Sequence, residues 1–464
     1  MDANQPSTDA SACPGCADRD RRIARLEAQV KQLQQHVEAL SRSAKRQAAP
    51  FSRGLPKVDP KRPGRKSGDD YGTKAFRAVP PVIDEIHDAP LPTRCPRCGK
   101  DTFIDTHVEQ QYQVEIPRRP IYRQFNVAVG RCACCDGRVQ GRHPLQTSDA
   151  LGCCASQIGP EAQSAVAVLN KELGLSQGKI SRFFQMFFGI KLTRGGSCQI
   201  MLRAAQRCEG NYQAIVKRVQ QSDWIVPDET GWRIGGRLAW MHVAVSDDAV
   251  AYLIARERGV EASALLIGQD YAGTLIHDGW ASYDRFWRAM HQTCLAHLLR
   301  RCHELLETAT RGAVIFPRKV QAILQESLET RDLRDANAIT AKAAARRADD
   351  LQERMTRLVM PVKTHAPNER LAAHLQRHAS QLFTFLRHKD VDATNYQAEQ
   401  AIRPAVVNRK VWGGNRTEAG AVAQSILMTV LFTAAKLKRD ALQFVSAVMR
   451  SPNGHRPMLF PGTG

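Results

Sequence analysis

Between residues 223 and 278 the chain abandons helical periodicity for short, β-branched apolar runs: "DWIVPDETGW", "RLAWMHVAVS", "AVAYLIARE" and "GTLIHDGW". Runs of this length, separated by turn-like stretches such as "DDA", pair as strands. Any fold available to the chain must therefore be built on a sheet formed here. Around it the pattern is helical: residues 155–220, "EASALLIG" inside the strand block, residues 294–388, and a last region after "HKDVDATN" ending near Val448. The expectation is a multidomain α/β protein. No internal repeat is present.

At 464 residues the chain is too long for one ordinary core, and roughly two to four folded units are expected. Its 66 Lys and Arg against 46 Asp and Glu leave a net charge of +20, a surplus that calls for a polyanionic partner, usually nucleic acid. The opening "MDANQPSTDASACPGC" has no apolar core segment of the kind a signal peptide carries. The longest uncharged apolar run, Ala419–Ala435, has 17 residues including Gln424, Ser425 and two threonines, and reads as a buried helix rather than a membrane span. A soluble, cytoplasmic protein with no membrane partner is expected, and in that compartment clustered cysteines point to metal before disulfide.

The N-terminal part reads as a series of attachments. Ile23, Leu26, Val30, Leu33, Val37 and Leu40 repeat as heptads with β-branched residues at a and leucine at d, the pattern of a parallel two-stranded coiled coil. Arg22 at g and Glu27 at the following e are placed to pair across chains. The alternative is one amphipathic surface helix. From Arg42 to Lys66 nine basic residues face one Asp among Pro and Gly, the composition of a flexible basic linker. Within it "KRPGRK" (Lys61, Arg62, Arg65, Lys66) reads either as a minor-groove hook or as a solvated spacer. "KELGLSQGKISRFFQMFFGI" places a Gly turn between two amphipathic stretches, as a helix-turn-helix does, although plain helical packing gives the same pattern.

Cys95 with Cys98 and Cys132 with Cys135 form two C-x-x-C pairs, the ligand set of a closed four-cysteine zinc site whose role is structural. The 33 residues between the pairs contain "QYQVEIPRRPIYRQFNVAV", which reads as a hairpin. Cys13 and Cys16 in "CPGC" give one chain two thiolates: either a metal clasp across a dimer, a redox pair, or no role. His374 and His378, four apart on a helix with no third ligand in sequence, are expected to be solvated.

The acids are the sharper puzzle. An apolar strand delivers Asp228 and Glu229 side by side, and on a strand neighbours face opposite ways, so the two cannot share one site. Asp278 likewise follows an apolar run, and Glu399 lies on a helix ahead of Arg403, Arg409 and Lys410. Taken singly these are a strand-end turn, a D-G turn and a surface ion pair. Together, two acids at strand ends and one on a later helix describe a carboxylate cluster for two divalent cations, Mg²⁺ or Mn²⁺, and phosphodiester chemistry on nucleic acid.

"VPDETGWRIGGRLAWMHVAVSDD", "LIHDGWASYDRF", "TCLAHLLRRCHEL" and "DATNYQAEQAIRPAVVNRKVWGG" resemble the DDE transposases of the IS 66 insertion-sequence group, as does the order of coiled coil, "RPGRK" linker and four-cysteine element. The resemblance implies that Asp228, Asp278 and Glu399 are the metal-binding catalytic acids of an RNase H-like domain. It also implies a helical insertion at about 295–388, which accounts for 121 residues from Asp278 to Glu399 against 50 from Asp228 to Asp278. Two departures stand out: Asn395-Tyr396-Gln397 where the family carries Asn-Asn, and Gln400 after Glu399 where it carries Arg. The implied layout is a CPGC and coiled-coil dimerisation segment (1–45), basic linker (46–92), zinc-binding domain (93–150), helical DNA-binding region (151–220), catalytic domain (221–448) and C-terminal tail (449–464). The implied activity is cutting of element ends and joining of 3′-OH ends to target DNA by a homodimer or higher oligomer at the nucleoid. A repressor or domesticated remnant without catalysis, and a nuclease of related fold, are the alternatives.

Overall fold

The computed structural model describes residues 22–30, 32–33, 79–101, 108–114, 116, 119–146, 157–451 and 455–460. Cys13, Cys16, Val37, Leu40, Lys61, Arg62, Arg65 and Lys66 lie outside these residues. The chain divides into two compact units, residues 1–116 and 117–464. In the first, residues 22–30 and 32–33 are helical, and Cys95–Cys98 form a tight turn in which Gly99 N–H donates to Cys95 O at 2.8 Å.

The second unit opens with a hairpin, β1 (Val129–Arg131) against β2 (Arg138–Gln140), antiparallel, with Cys132, Cys134 and Cys135 in its connecting turn. This corrects the expected hairpin between the cysteine pairs: among the described residues from 108 to 128 there is no strand. Pro120, within that segment, has no N–H to give to a ladder.

Three helices follow: α1 (Pro160–Lys171), α2 (Gln177–Phe188) and α3 (Arg194–Gln220). Each start has a local cause. Pro160 occupies the first turn of α1, while Ser176 and Thr193 cap α2 and α3 by accepting from Lys179 N–H and Gly196 N–H. The turn from α1 to α2 passes through Gly174 at φ 71°, a left-handed conformation that glycine adopts without strain.

The sheet is formed by β3 (Trp224–Ile234), β4 (Arg237–Val245), β5 (Val250–Ala255), β6 (Thr274–His277) and β7 (Met290–Thr293). Its order is β5-β4-β3-β6-β7, antiparallel on the β4 side of β3 and parallel on the β6 side. The remaining helices are α4 (Val260–Ile267), α5 (Leu295–Thr308), α6 (Ile315–Asp335), α7 (Ala341–Val359), α8 (Ala366–Arg377), the short α9 (Thr384–Arg387), α10 (Tyr396–Trp412), α11 (Glu418–Lys436) and α12 (Ala441–Arg450). Strand alternation sorts the core into two clusters. Val226, Trp232, Ile234 and Ile276 bury one face against α5–α8 and α10, and Ile225, Ala244 and Leu275 bury the other against α1–α4 and α12.

Helix α11 is the Ala419–Ala435 run, and its length and composition alone would let it cross a membrane. Here its residues contribute to both clusters. Its hydroxyls cover the edge strand: Ser425, Thr429 and Thr433, one turn apart, accept from Ile254, Tyr252 and Val250 N–H at 3.0, 2.9 and 3.0 Å. The polar residues of this apolar run thus satisfy the open side of β5, an edge that would otherwise pair with another chain.

Candidate active site

Strand β3 does not end at Asp228. It continues to Ile234, pairing with β4 from Val226↔Val245 through Asp228↔Val243 to Ile234↔Arg237. What stops near Asp228 is the parallel pairing on the other side, whose register is Trp224↔Thr274 and Ile225↔Leu275. Pro227 follows with no N–H to donate. The register offset is 50 positions, and 50 also separates Asp228 from Asp278. Carried along both segments, it sets the two aspartates level and on the face of Val226 and Ile276. Glu229 takes the opposite face, as expected.

Asp278 follows β6 in a turn made by Gly279 (φ 87°), where Trp280 N–H donates to Asp278 Oδ1 at 2.9 Å. A side chain at Gly279 would press on His374, whose Cε1 lies 2.9 Å from the position of a Cβ. Glu399 sits in the first turn of α10, whose Ala398, Ile402 and Ala405 pack into the core of the Asp228 face. The segment before α10 is tied to the start of α5, with Leu295 N–H donating to Ala393 O at 2.9 Å.

The three acids interact. Asp228 is half-buried, and its carboxyl is pushed up to about 7 by loss of solvent first, then by the negative charges of Glu229, Asp278 and Glu399. Among the described residues no three or more His, Cys, Asp or Glu side chains are gathered closely enough to hold an ion as they stand. The three acids are therefore candidate ligands and do not form a closed cation site in this structure. Their oxygens are hard donors from three elements on one face, a set that fits Mg²⁺ or Mn²⁺ with water and phosphate oxygens completing the shell.

Several neighbours were not legible as site residues. His297, in the first turn of α5, brings Nε2 to 3.5 Å from Glu399 Oε1, while its Nδ1 is buried without a partner. Its position soon after an apolar strand, in "TCLAHLL", was the available signal. His277 accepts from Gly279 N–H at Nδ1 (3.1 Å), so its proton lies on Nε2 and points to His291 Nδ1 at 3.0 Å, and His291 Nε2 donates to Phe286 O at 3.0 Å. Burial holds both imidazoles below the ordinary value, keeping the chain neutral. His374 and His378 join this group and are not solvated, contrary to the sequence reading. His378 is buried, its ring 4.6 Å from that of His374 and 6.4 Å from that of His277, and burial lowers His374 to about 4. The helix on which they sit packs inward there, which their spacing alone does not encode.

The basic residues of α10 divide. Arg403 and Lys410 are exposed. Arg409 is turned inward, donating to Gly231 O and, at 3.3 Å, to Thr230 Oγ1, so its guanidinium is engaged in fixing α10 to β3.

Each cysteine pair occupies a tight turn. The amides of Arg97 and Cys98 are directed at Cys95, those of Cys135 and Cys134 at Cys132, and these contacts hold both thiols below the ordinary value.

The family model described as "Transposase IS66 family" matches residues 155–423, more than half of the 464 residues. No curated protein is similar enough to this chain to count as a match.

Proposed function

The chain belongs to the IS66 family of transposases, proteins that act on DNA, and on that premise we propose that it cuts the ends of a bacterial insertion sequence and joins the freed 3′-OH to target DNA. The observation that carries this reading is the shared register: Asp228 and Asp278 stand level on one face of the sheet, and α10 presents Glu399 from that same face. The order β5-β4-β3-β6-β7, with the first strand central, supports an RNase H-like catalytic domain.

In this reading Asp228, Asp278 and Glu399 hold the catalytic cations. Bound Mg²⁺ or Mn²⁺, two per site, supplies activation of the attacking oxygen and stabilisation of the leaving one. The chain's own contribution is positional. The acids fix the cation oxygens at the sheet, and exposed cations such as Arg403 and Lys410 neutralise phosphates as DNA is laid across α10. Lys61, Arg62, Arg65 and Lys66 add sequence-independent affinity, and the helices of 151–220 supply a further DNA surface. Cys95, Cys98, Cys132 and Cys135 hold one structural zinc. Ile23, Leu26, Val30 and Leu33, all exposed in the single chain, form the seam of a parallel dimer.

Double-stranded DNA carrying the element's own ends, incubated with Mg²⁺ or with EDTA, tests the reading. Asp228→Ala, Asp278→Ala and Glu399→Ala should each abolish cleavage and joining and leave end-binding intact, since affinity comes from basic side chains elsewhere. Glu229→Ala should be milder. Activity surviving Glu399→Ala would move the third ligand elsewhere, with Asp390 and Asp392 the nearest acids in sequence.

A further inference from the structure

The parallel ladder between β3 and β6 ends at Ile225↔Leu275, three residues short of the two aspartates. Backbone pairing between these strands therefore does not hold Asp228 and Asp278 in step. The opposite face of the sheet carries a side-chain bridge at this level. Arg258, in the loop between β5 and α4, directs Nε and Nη2 to Glu229 Oε1 at 3.0 and 2.7 Å. Its guanidinium carbon lies over two indoles, 4.8 Å from the ring centroid of Trp240 on β4 and 4.3 Å from that of Trp280. The other Glu229 oxygen accepts from Tyr283 Oη at 2.8 Å, and the Glu229 side chain is only 3% exposed. Trp280 is the residue whose amide caps Asp278. One arginine thus joins the residue after Asp228 to the turn that carries Asp278.

We propose that Arg258, with Glu229 and Tyr283, is a clamp that holds the Asp228 and Asp278 segments at the separation the cations require, acting from the face of the sheet away from them. The planar guanidinium suits this role, because its fork meets Glu229 through two N–H groups while its flat group packs on the two indoles, which a lysine ammonium cannot reproduce. The arrangement also explains why a second acid beside Asp228 is tolerated. Arg258 neutralises Glu229 on its own face, so it does not compete for cations on the other. The inference rests on the metal-binding role proposed for the two aspartates, and Arg258 is a positioning residue that touches neither DNA nor cation.

The test uses the full chain and two readouts besides activity: Mn²⁺ binding followed by electron paramagnetic resonance, and hydrogen exchange of residues 226–231 and 277–283. Arg258→Ala should weaken Mn²⁺ binding roughly tenfold to a hundredfold, as loss of an outer partner of a metal ligand does, and should speed exchange in both segments. Arg258→Lys should recover only part of each effect. Arg256→Ala is the control, because Arg256 lies in the same loop but pairs with Glu418 and, at 3.3 Å, with Ile234 O, outside both probed segments; it should leave both readouts unchanged. If Arg258→Ala does not fold, Tyr283→Phe removes one hydrogen bond from the clamp and is read in the same way. Unchanged exchange and Mn²⁺ affinity in the Arg258 variants, with Asp228→Ala still abolishing Mn²⁺ binding, would overturn the clamp alone. Wild-type protein that binds no Mn²⁺ would overturn the metal reading, and the exchange data would then decide whether the clamp holds the two segments together.

Discussion

Lys171, the last residue of α1, is 3% exposed, and its ammonium gives a hydrogen bond to Gln424 of α11 and lies 5.7 Å from the ring centroid of Trp412 at the end of α10. Among the described residues no carboxylate pairs with it, and burial lowers its pKa from 10.5 to about 7 against a smaller opposing effect of Cys198. The folded protein therefore releases this proton more readily than the unfolded chain. Below pH 7 both states are protonated and the full penalty of burying the charge applies. Between about 7 and 10.5 the unfolded chain binds more protons, so stability rises with pH across that window. A gap of about 3.5 pH units, at about 1.4 kcal/mol each, sets a ceiling near 5 kcal/mol, which relaxation around the charge reduces to about 2–4 kcal/mol. Lys171→Met keeps the length of the side chain and removes the charge, at a cost of about 1–2 kcal/mol for leaving the Gln424 carbonyl unpaired. The variant should be more stable than wild type at pH 6.5 and lose that advantage by pH 10. Urea midpoints measured at intervals across this range give the difference directly, because other groups titrate alike in both proteins. A wild-type-minus-variant difference that stays flat with pH would show that the amine is not buried as a charge, and the packing of α1 against α10 and α11 would be wrong.

Cys98→Ser should lose one equivalent of zinc and unfold the module around residues 93–150, since a structural zinc supplies much of a small domain's folding energy; metal analysis of freshly purified protein gives the answer, and a wild type without zinc would end that proposal. Replacing Lys61, Arg62, Arg65 and Lys66 with neutral residues should reduce the slope of log K against log salt by up to about 3–4, close to one for each phosphate no longer neutralised. An unchanged slope would make the linker a spacer.

The element types were legible because their causes are local. β-branched runs gave the strands, and the alternation of Asp228 and Glu229 the opposition of their side chains. The extent of β3 was partly visible as well, since Trp232 and Ile234 continue the even-numbered apolar positions beyond the acids. "DET" has the composition of a stop, yet β4 supplies a partner for every residue to Ile234. Alignment of Asp228 with Asp278 depends on a register between strands separated by a hairpin and a helix, which no window of sequence contains. The same holds for Arg258: an arginine in "ARERGV" has no local signature, and only the fold brings it over Trp240 and Trp280. The spacing of His374 and His378 is visible in the sequence, but their burial depends on how α8 packs under the Asp278 turn.

The site makes one demand above others, that β3 keep its register. A slip of one residue would turn Glu229 toward α10 and Asp228 toward Arg258, exchanging the proposed ligand for a neutralised acid, because side-chain direction has a period of two. The structure resists that slip from several sides. Nine consecutive pairs, Val226↔Val245 to Ile234↔Arg237, bind β3 to β4. Beyond α10, Asn415 is fixed to the far end of β3 by Asn415 N–H to Arg233 O (2.9 Å), Gly235 N–H to Asn415 O (2.9 Å) and Trp232 Nε1 to Asn415 Oδ1 (2.7 Å). Arg409, one turn before the end of α10, grips Gly231. The Asn415 and Arg409 contacts belong to the segment that carries Glu399. The strand bearing Asp228 and the helix bearing Glu399 are therefore registered against each other directly, by bonds a one-residue slip would break together. Arg258 is then left with a single step to secure, the one between Asp228 and Asp278, where backbone pairing has already ended.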